Sequence, residues 1–118
     1  MKILLADDDS SARELVAKAL ISDQHEVVSV GDGTAAVEAI EADGSSFELL
    51  IADVDMPGHN GLEVAQRARA VSANIAVLLI SAHVPQLERA SELGEKTAAL
   101  VKPFGLDALR AEVAKLTG

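Results

Sequence analysis

Cysteine, tryptophan and tyrosine are absent from the 118 residues, and phenylalanine occurs only twice, as Phe47 and Phe104. Without cysteine there is neither a disulfide nor a thiolate metal site, although this leaves the compartment open, since a soluble chain can simply lack thiols. Without aromatic rings the core must be aliphatic, and no platform exists on which a nucleobase or a flavin ring could stack. Positive charge is scarce as well: 10 Lys and Arg stand against 19 Asp and Glu, a net charge of −9. Phosphate backbones are held by clustered Lys and Arg, and these ten are spread along the chain, so the balance argues against direct nucleic-acid binding and for a protein partner. No apolar run reaches the ~20 residues of a membrane span. The N-terminus also lacks a basic region followed by a long apolar one, so no membrane association is expected and the expected location is the cytoplasm.

What is present is a chain of ordinary domain size, 49% apolar, enough to bury a real core; residues 1–118 are expected to form one domain. Apolar runs alternate with helical patterns five times, the signature of βαβ units and a parallel sheet. Strands are expected near residues 2–6, 26–30, 48–53, 75–81 and 98–102. The second, half polar in His25-Glu26-Val27-Val28-Ser29-Val30, suits an edge, whereas the others are nearly continuous apolar runs suited to burial on both faces. Leu15, Val16, Ala19 and Leu20 share one face of the first helix, and Leu106, Leu109, Val113 and Leu116 one face of the last. Asp9, Asp32 and Asn60 stand where helix N-caps are needed, and Asn60 with Glu63 has the spacing of a capping box.

Chemistry gathers at the ends of the apolar runs. The first ends in Asp7-Asp8-Asp9, the third in Asp53-Val54-Asp55-Met56-Pro57, the fourth in Ser81 and the fifth in Lys102-Pro103-Phe104. Parallel strands deliver all of these to the same edge of one sheet, which is where open α/β folds place their chemistry. Two unit negative charges about 4 Å apart repel by roughly 4 kcal/mol at an effective dielectric of 20, so clustered carboxylates require a cation. Acids, a hydroxyl and an amine together describe a site for Mg²⁺ and a phosphoryl group.

The order of acidic pair, lone Asp, Ser and Lys-Pro resembles the receiver domain of bacterial two-component response regulators, and the match runs from Lys2 to the C-terminus with Asp7, Asp8, Asp53, Ser81 and Lys102 all in place. The start Ile3-Leu4-Leu5-Ala6-Asp7-Asp8-Asp9 is similar to that of stand-alone, CpdR-like receivers. The resemblance implies an α/β, flavodoxin-like (βα)5 doubly wound three-layer sandwich with a five-stranded parallel sheet of order 2-1-3-4-5. It implies Asp53 as phosphoacceptor from a sensor histidine kinase or histidine phosphotransfer protein, and Mg²⁺ held by Asp8, Asp53 and the backbone carbonyl of Asp55, with Asp7 acting through a water. Ser81 and Lys102 would meet the phosphoryl oxygens, helped by backbone amides after Asp53 and Ser81, and the Lys102-Pro103 bond would be cis. Such a domain is not an enzyme beyond its own phosphorylation and dephosphorylation. It signals by protein contacts through a face of the fourth helix, fifth strand and fifth helix, as a monomer or weak homodimer.

Two departures stand out. Ala99 occupies the place where many receivers carry an aromatic residue that swings inward on phosphorylation, so output is expected to run through the Ser81 to Pro85 loop instead, or the domain is a phosphate sink. The stretch Gly94-Glu95-Lys96-Thr97 fits the family pattern poorly. His25 and His59 are expected at the surface, Met56 and Pro57 in loop packing, and His83 beside the phosphoryl position. The Asp53-x-Asp55 motif also resembles haloacid-dehalogenase-like phosphatases, but there that motif follows the first strand and the acidic pair comes last, the reverse of the order here. A third reading is an unphosphorylated pseudo-receiver that only binds.

Overall fold

The computed structural model describes residues 1–117. Strands β1 (Lys2–Ala6), β2 (Glu26–Val30), β3 (Leu49–Asp53), β4 (Ala76–Ser81) and β5 (Thr97–Val101) alternate with helices α1 (Ser10–Ser22), α2 (Gly33–Asp43), α3 (Gly61–Val71), α4 (Val84–Leu87) and α5 (Leu106–Thr117). Short 3₁₀ segments cover Gly44–Ser46 and Glu88–Leu93. The strands form one parallel sheet of order β2-β1-β3-β4-β5, as expected, and each expected strand lies within a residue or so of its place.

The two-residue period of a strand divides the core between the two faces of the sheet. Leu4, Ala6, Leu50, Ala52, Val77 and Leu79 meet α2 and α3 through Val37, Ile40, Leu62, Val64 and Ala65. Ile3, Leu5, Leu49, Ile51, Leu78 and Ile80 meet α1 and α5 through Val16, Leu20, Leu109 and Val113. Each such side chain taken wholly out of water contributes about 1.5–3 kcal/mol, and every residue of β3 and β4 is buried. Leu15 departs from the expected stripe: it is 57% exposed, because the face that buries Val16, Ala19 and Leu20 turns it toward solvent. A second departure is β5, whose apolar run is not buried on both faces. It is the last strand in the order and therefore an edge, with Ala99 and Val101 exposed.

Caps form where the sequence placed them. Asp9 accepts from the amides of Ser11 and Ala12 at 3.0 and 3.2 Å, and Asp32 from Ala35 at 2.7 Å. Asn60 and Glu63 exchange both bonds of a capping box, leaving fewer unpaired amides in the first turns. The unmatched stretch before β5 has a different support. Gly94 and Lys96 have φ of +78° and +57°, which leaves their neighbours' carbonyls without a regular ladder. The Arg69 guanidinium supplies the donors, reaching the carbonyls of Ile75 (2.7 Å), Leu93 (2.6 Å), Glu95 (3.0 Å) and Lys96 (2.9 Å) and the Thr97 hydroxyl (3.2 Å).

Candidate functional site

Register decides which side chains meet. Ala6 pairs with Ala52, so Asp7 and Asp53 emerge level from adjacent strands, while Asp53 pairs with Ile80 and Ser81 with Val101, which sets Ser81 one step and Lys102 two steps beyond Asp53. Gly61 lets α3 start against the Asp53 carbonyl, where a Cβ would collide with backbone, and Gly33 likewise lets α2 start against the His59 backbone. These two approaches fix the β3–α3 loop, whose Pro57 carbonyl accepts from the Gly33 amide at 3.0 Å. Met56 packs against the core, in keeping with the packing role expected of both.

Asp7 and Asp53 are buried and Asp8 is exposed, and carboxylate oxygens of the three lie within 4.8 Å of one another. The two buried acids share one local construction. Asp7 accepts from the amide of Asp9 at 2.9 Å and Asp53 from the amide of Asp55 at 2.8 Å, in each case on one oxygen and from two residues further on. The other oxygen of each faces Lys102, whose Nζ lies 2.5 Å from Asp53 and 3.4 Å from Asp7. Arg13 donates to the Asp7 carbonyl at 2.6 Å and holds the end of β1. Lys102-Pro103 is a cis peptide. Of the amides after Asp53, that of Val54 donates to the Ile80 carbonyl at 2.8 Å and that of Asp55 to the Asp53 carboxylate at 2.8 Å.

Burial pushes the Asp53 carboxyl above its usual range, with the Asp7 charge acting in the same direction against the hydrogen bonds from Lys102 and Asp55. Burial alone would lower Lys102, but the Asp53 hydrogen bond and the charges of Asp53 and Asp7 prevail and raise it, so it stays cationic at neutral pH. Three carboxylates and one ammonium leave two negative charges unbalanced when all are ionised, the charge of one divalent cation. The donors are all oxygens from two strand ends, the kind Mg²⁺ prefers, so the residues fit that ion.

Ser81 is fully buried, and its hydroxyl is bound outside the acid cluster: Oγ lies 2.5 Å from Gln86 Oε1 and receives the His83 amide at 3.0 Å. Gln86 Nε2 in turn donates to Asp55 Oδ1 at 2.7 Å. The expected loop from Ser81 to Pro85 is shorter than anticipated, because α4 already begins at Val84. His83 is exposed at its N-cap. His25 and His59 are half-buried rather than at the surface, His25 Nδ1 standing 3.4 Å from the amino terminus and His59 Nδ1 3.5 Å from Glu63. Gln86 and Arg13 were not legible as site residues, since a Gln in a first helical turn or an Arg on an amphipathic helix is ordinary. Beside Lys102 opens an apolar groove of about 600 Å³ lined by Ala12, Leu15, Val16, Phe104 and Leu106. Among the described residues no helix is long and apolar enough to cross a membrane.

Comparison with known proteins agrees with this geometry. Residues 3–114 match the model of the response regulator receiver domain. The transcriptional regulatory protein TcrA of Mycobacterium tuberculosis is 35% identical over 118 residues, covering 99% of this chain and 46% of that protein. The response regulator receiver protein CpdR of Brucella abortus is 31% identical over 116 residues, covering 98% and 95%. The chain thus spans about half the length of TcrA and nearly all of CpdR. Among solved structures, the receiver domain from the hybrid histidine kinase CckA superimposes with a TM-score of 0.86 at 26% identity and 100% coverage of both chains. TrrA of Thermotoga maritima, in complex with Mg²⁺ and BeF, superimposes with a TM-score of 0.85 at 29% identity, covering 98% of this chain and 97% of that one. By its strand order, its cluster of strand-end acids and this family match, the chain belongs to the receiver domains of two-component response regulators.

Proposed function

We propose that residues 1–118 act as one receiver unit in which Asp53 takes a phosphoryl group from a phosphohistidine on a sensor histidine kinase or histidine phosphotransfer protein. A carboxylate oxygen of Asp53 forms the new bond to phosphorus as the phosphorus–nitrogen bond breaks. The electron pair returns to the donor imidazole, and the product is an acyl phosphate. The observation that carries this reading is the pairing of a buried Asp53 with Lys102 at 2.5 Å inside a three-carboxylate cluster. Asp8, Asp53 and the carbonyl of Asp55, with Asp7 through a water, would hold Mg²⁺, which would supply charge neutralisation for the phosphoryl oxygens. Lys102 can exchange its contact with Asp53 for one with the phosphoryl group, and the amides that orient Asp7 and Asp53 hold the acids in place. The groove beside Lys102, with exposed Leu15 on its wall, offers the donor domain an apolar surface next to the acceptor. Output passes to a protein partner or a second copy through α4, β5 and α5.

Incubation with Mg²⁺ and acetyl phosphate is expected to add one phosphoryl group by intact mass, and Asp53→Asn to abolish it. Full labelling of that variant would overturn the assignment.

A further inference from the structure

The Ser81 hydroxyl already has a partner. Its Oγ lies 2.5 Å from Gln86 Oε1, while Gln86 Nε2 lies 2.7 Å from Asp55 Oδ1. A carboxylate only accepts hydrogen bonds, so Asp55 dictates which way round the Gln86 amide sits: its NH₂ faces the carboxylate and its oxygen faces the serine. That orientation makes Ser81 the donor. A serine hydroxyl carries one proton, and the proton that holds Gln86 cannot also reach a phosphoryl oxygen on Asp53. The two bonds exclude each other by count.

The position of Gln86 gives that exclusion a consequence. It lies in the first turn of α4 and Asp55 lies after β3, so one side chain ties together the two loops that flank the site. Asp55 is itself joined to Asp53 through its amide at 2.8 Å. Ala99, exposed on β5, has no ring with which to sense the state of Ser81, whereas Gln86 touches Ser81 directly.

We propose that Gln86 is a positioning residue of the phosphoryl site: it holds the Ser81 proton and the Asp55 carboxylate in the unmodified protein, competes with the phosphoryl group for Ser81, and frees the first turn of α4 when it loses. The proposal rests on Asp53 being the phosphoacceptor. Beryllofluoride with Mg²⁺ stands in for the acyl phosphate.

Two measurements test it. In the protein without beryllofluoride, the side-chain amide resonances of Gln86 are expected to shift on Ser81→Ala; if they do not move, the clasp does not exist and the proposal falls, whatever Asp53 does. In a ¹⁹F titration, Gln86→Leu is expected to bind beryllofluoride about 2- to 10-fold more tightly than the parent, the worth of one competing hydrogen bond. The same substitution in a Ser81→Ala background is expected to change nothing. Gln86→Met serves equally if the Leu variant folds poorly. Unchanged or weaker binding, or an equal gain without Ser81, would show that Gln86 does not compete for the proton. A parent protein that shows the amide shift but takes up no beryllofluoride overturns the Asp53 reading, and the competition with it.

Discussion

Two stretches of the molecule, from β1 to α3 and from the end of β4 to β5, are built by different means. From β1 to α3, every strand residue of β3 is buried, helices run 11 to 13 residues, and three of their N-termini are closed by side-chain caps. From the end of β4 to β5, a four-residue helix gives way to a 3₁₀ segment and an edge strand with no fully buried residue. There the chain is held by two polar devices, the Arg69 guanidinium and the Gln86 amide. The acids that must keep their mutual geometry stand on the first construction, where packing fixes rotamers. The face expected to respond stands on the second, where opening costs less.

The widest test of this contrast is truncation in two strands of the sheet that differ in burial. Ile51→Ala, in fully buried β3, is expected to cost about 2–5 kcal/mol by urea denaturation, and Leu100→Ala, half-buried in β5, about half as much or less. Equal losses would erase the distinction. Arg69→Met comes next. It removes five side-chain hydrogen bonds, to four carbonyls and a hydroxyl, and is expected to cost about 2–3 kcal/mol, with amide exchange accelerated at residues 93–101 and unchanged in β1 and β3. Arg69→Lys is not expected to restore it, because an ammonium cannot span those acceptors.

The smallest effect concerns the rigid stretch. The folded Asp53 carboxyl lies above its unfolded value of 3.8, so the folded state binds this proton more tightly than the unfolded one. Its contribution is therefore most favourable below pH 3.8 and is lost as pH rises through the folded value. Asp53→Asn is expected to raise the Tm by a few degrees at pH 7 without Mg²⁺, and the gain is expected to fade as pH falls toward 4. Added Mg²⁺ is expected to narrow the gap by stabilising the parent, in proportion to its binding. A variant less stable than the parent at pH 7 would mean that the bond to Lys102 outweighs burial.

What could be read from the chain follows the same division. Asp7, Asp53, Asp32 and Asn60 were legible because their roles are local: a strand end, a cap, a spacing of three. The order of the strands, which makes β5 an edge, was in hand as well, yet its apolar run was still expected to be buried, because hydropathy reports what a segment is made of and not how many neighbours it has. Leu15 shows the same limit within one helix. Gln86 and Arg69 were out of reach for a stronger reason, since their partners stand 31 and up to 28 residues away and neither spacing follows any local rule.

Surface connections usually tolerate insertion and deletion. The one leading into β5 does not have that freedom, because Leu93, Glu95 and Lys96 must each present a carbonyl to the same planar guanidinium while Thr97 adds its hydroxyl. A residue gained or lost there would shift the acceptors off a fork whose donors have fixed directions. Related chains that carry a different residue in place of Arg69 are therefore the ones in which this loop is free to vary in length.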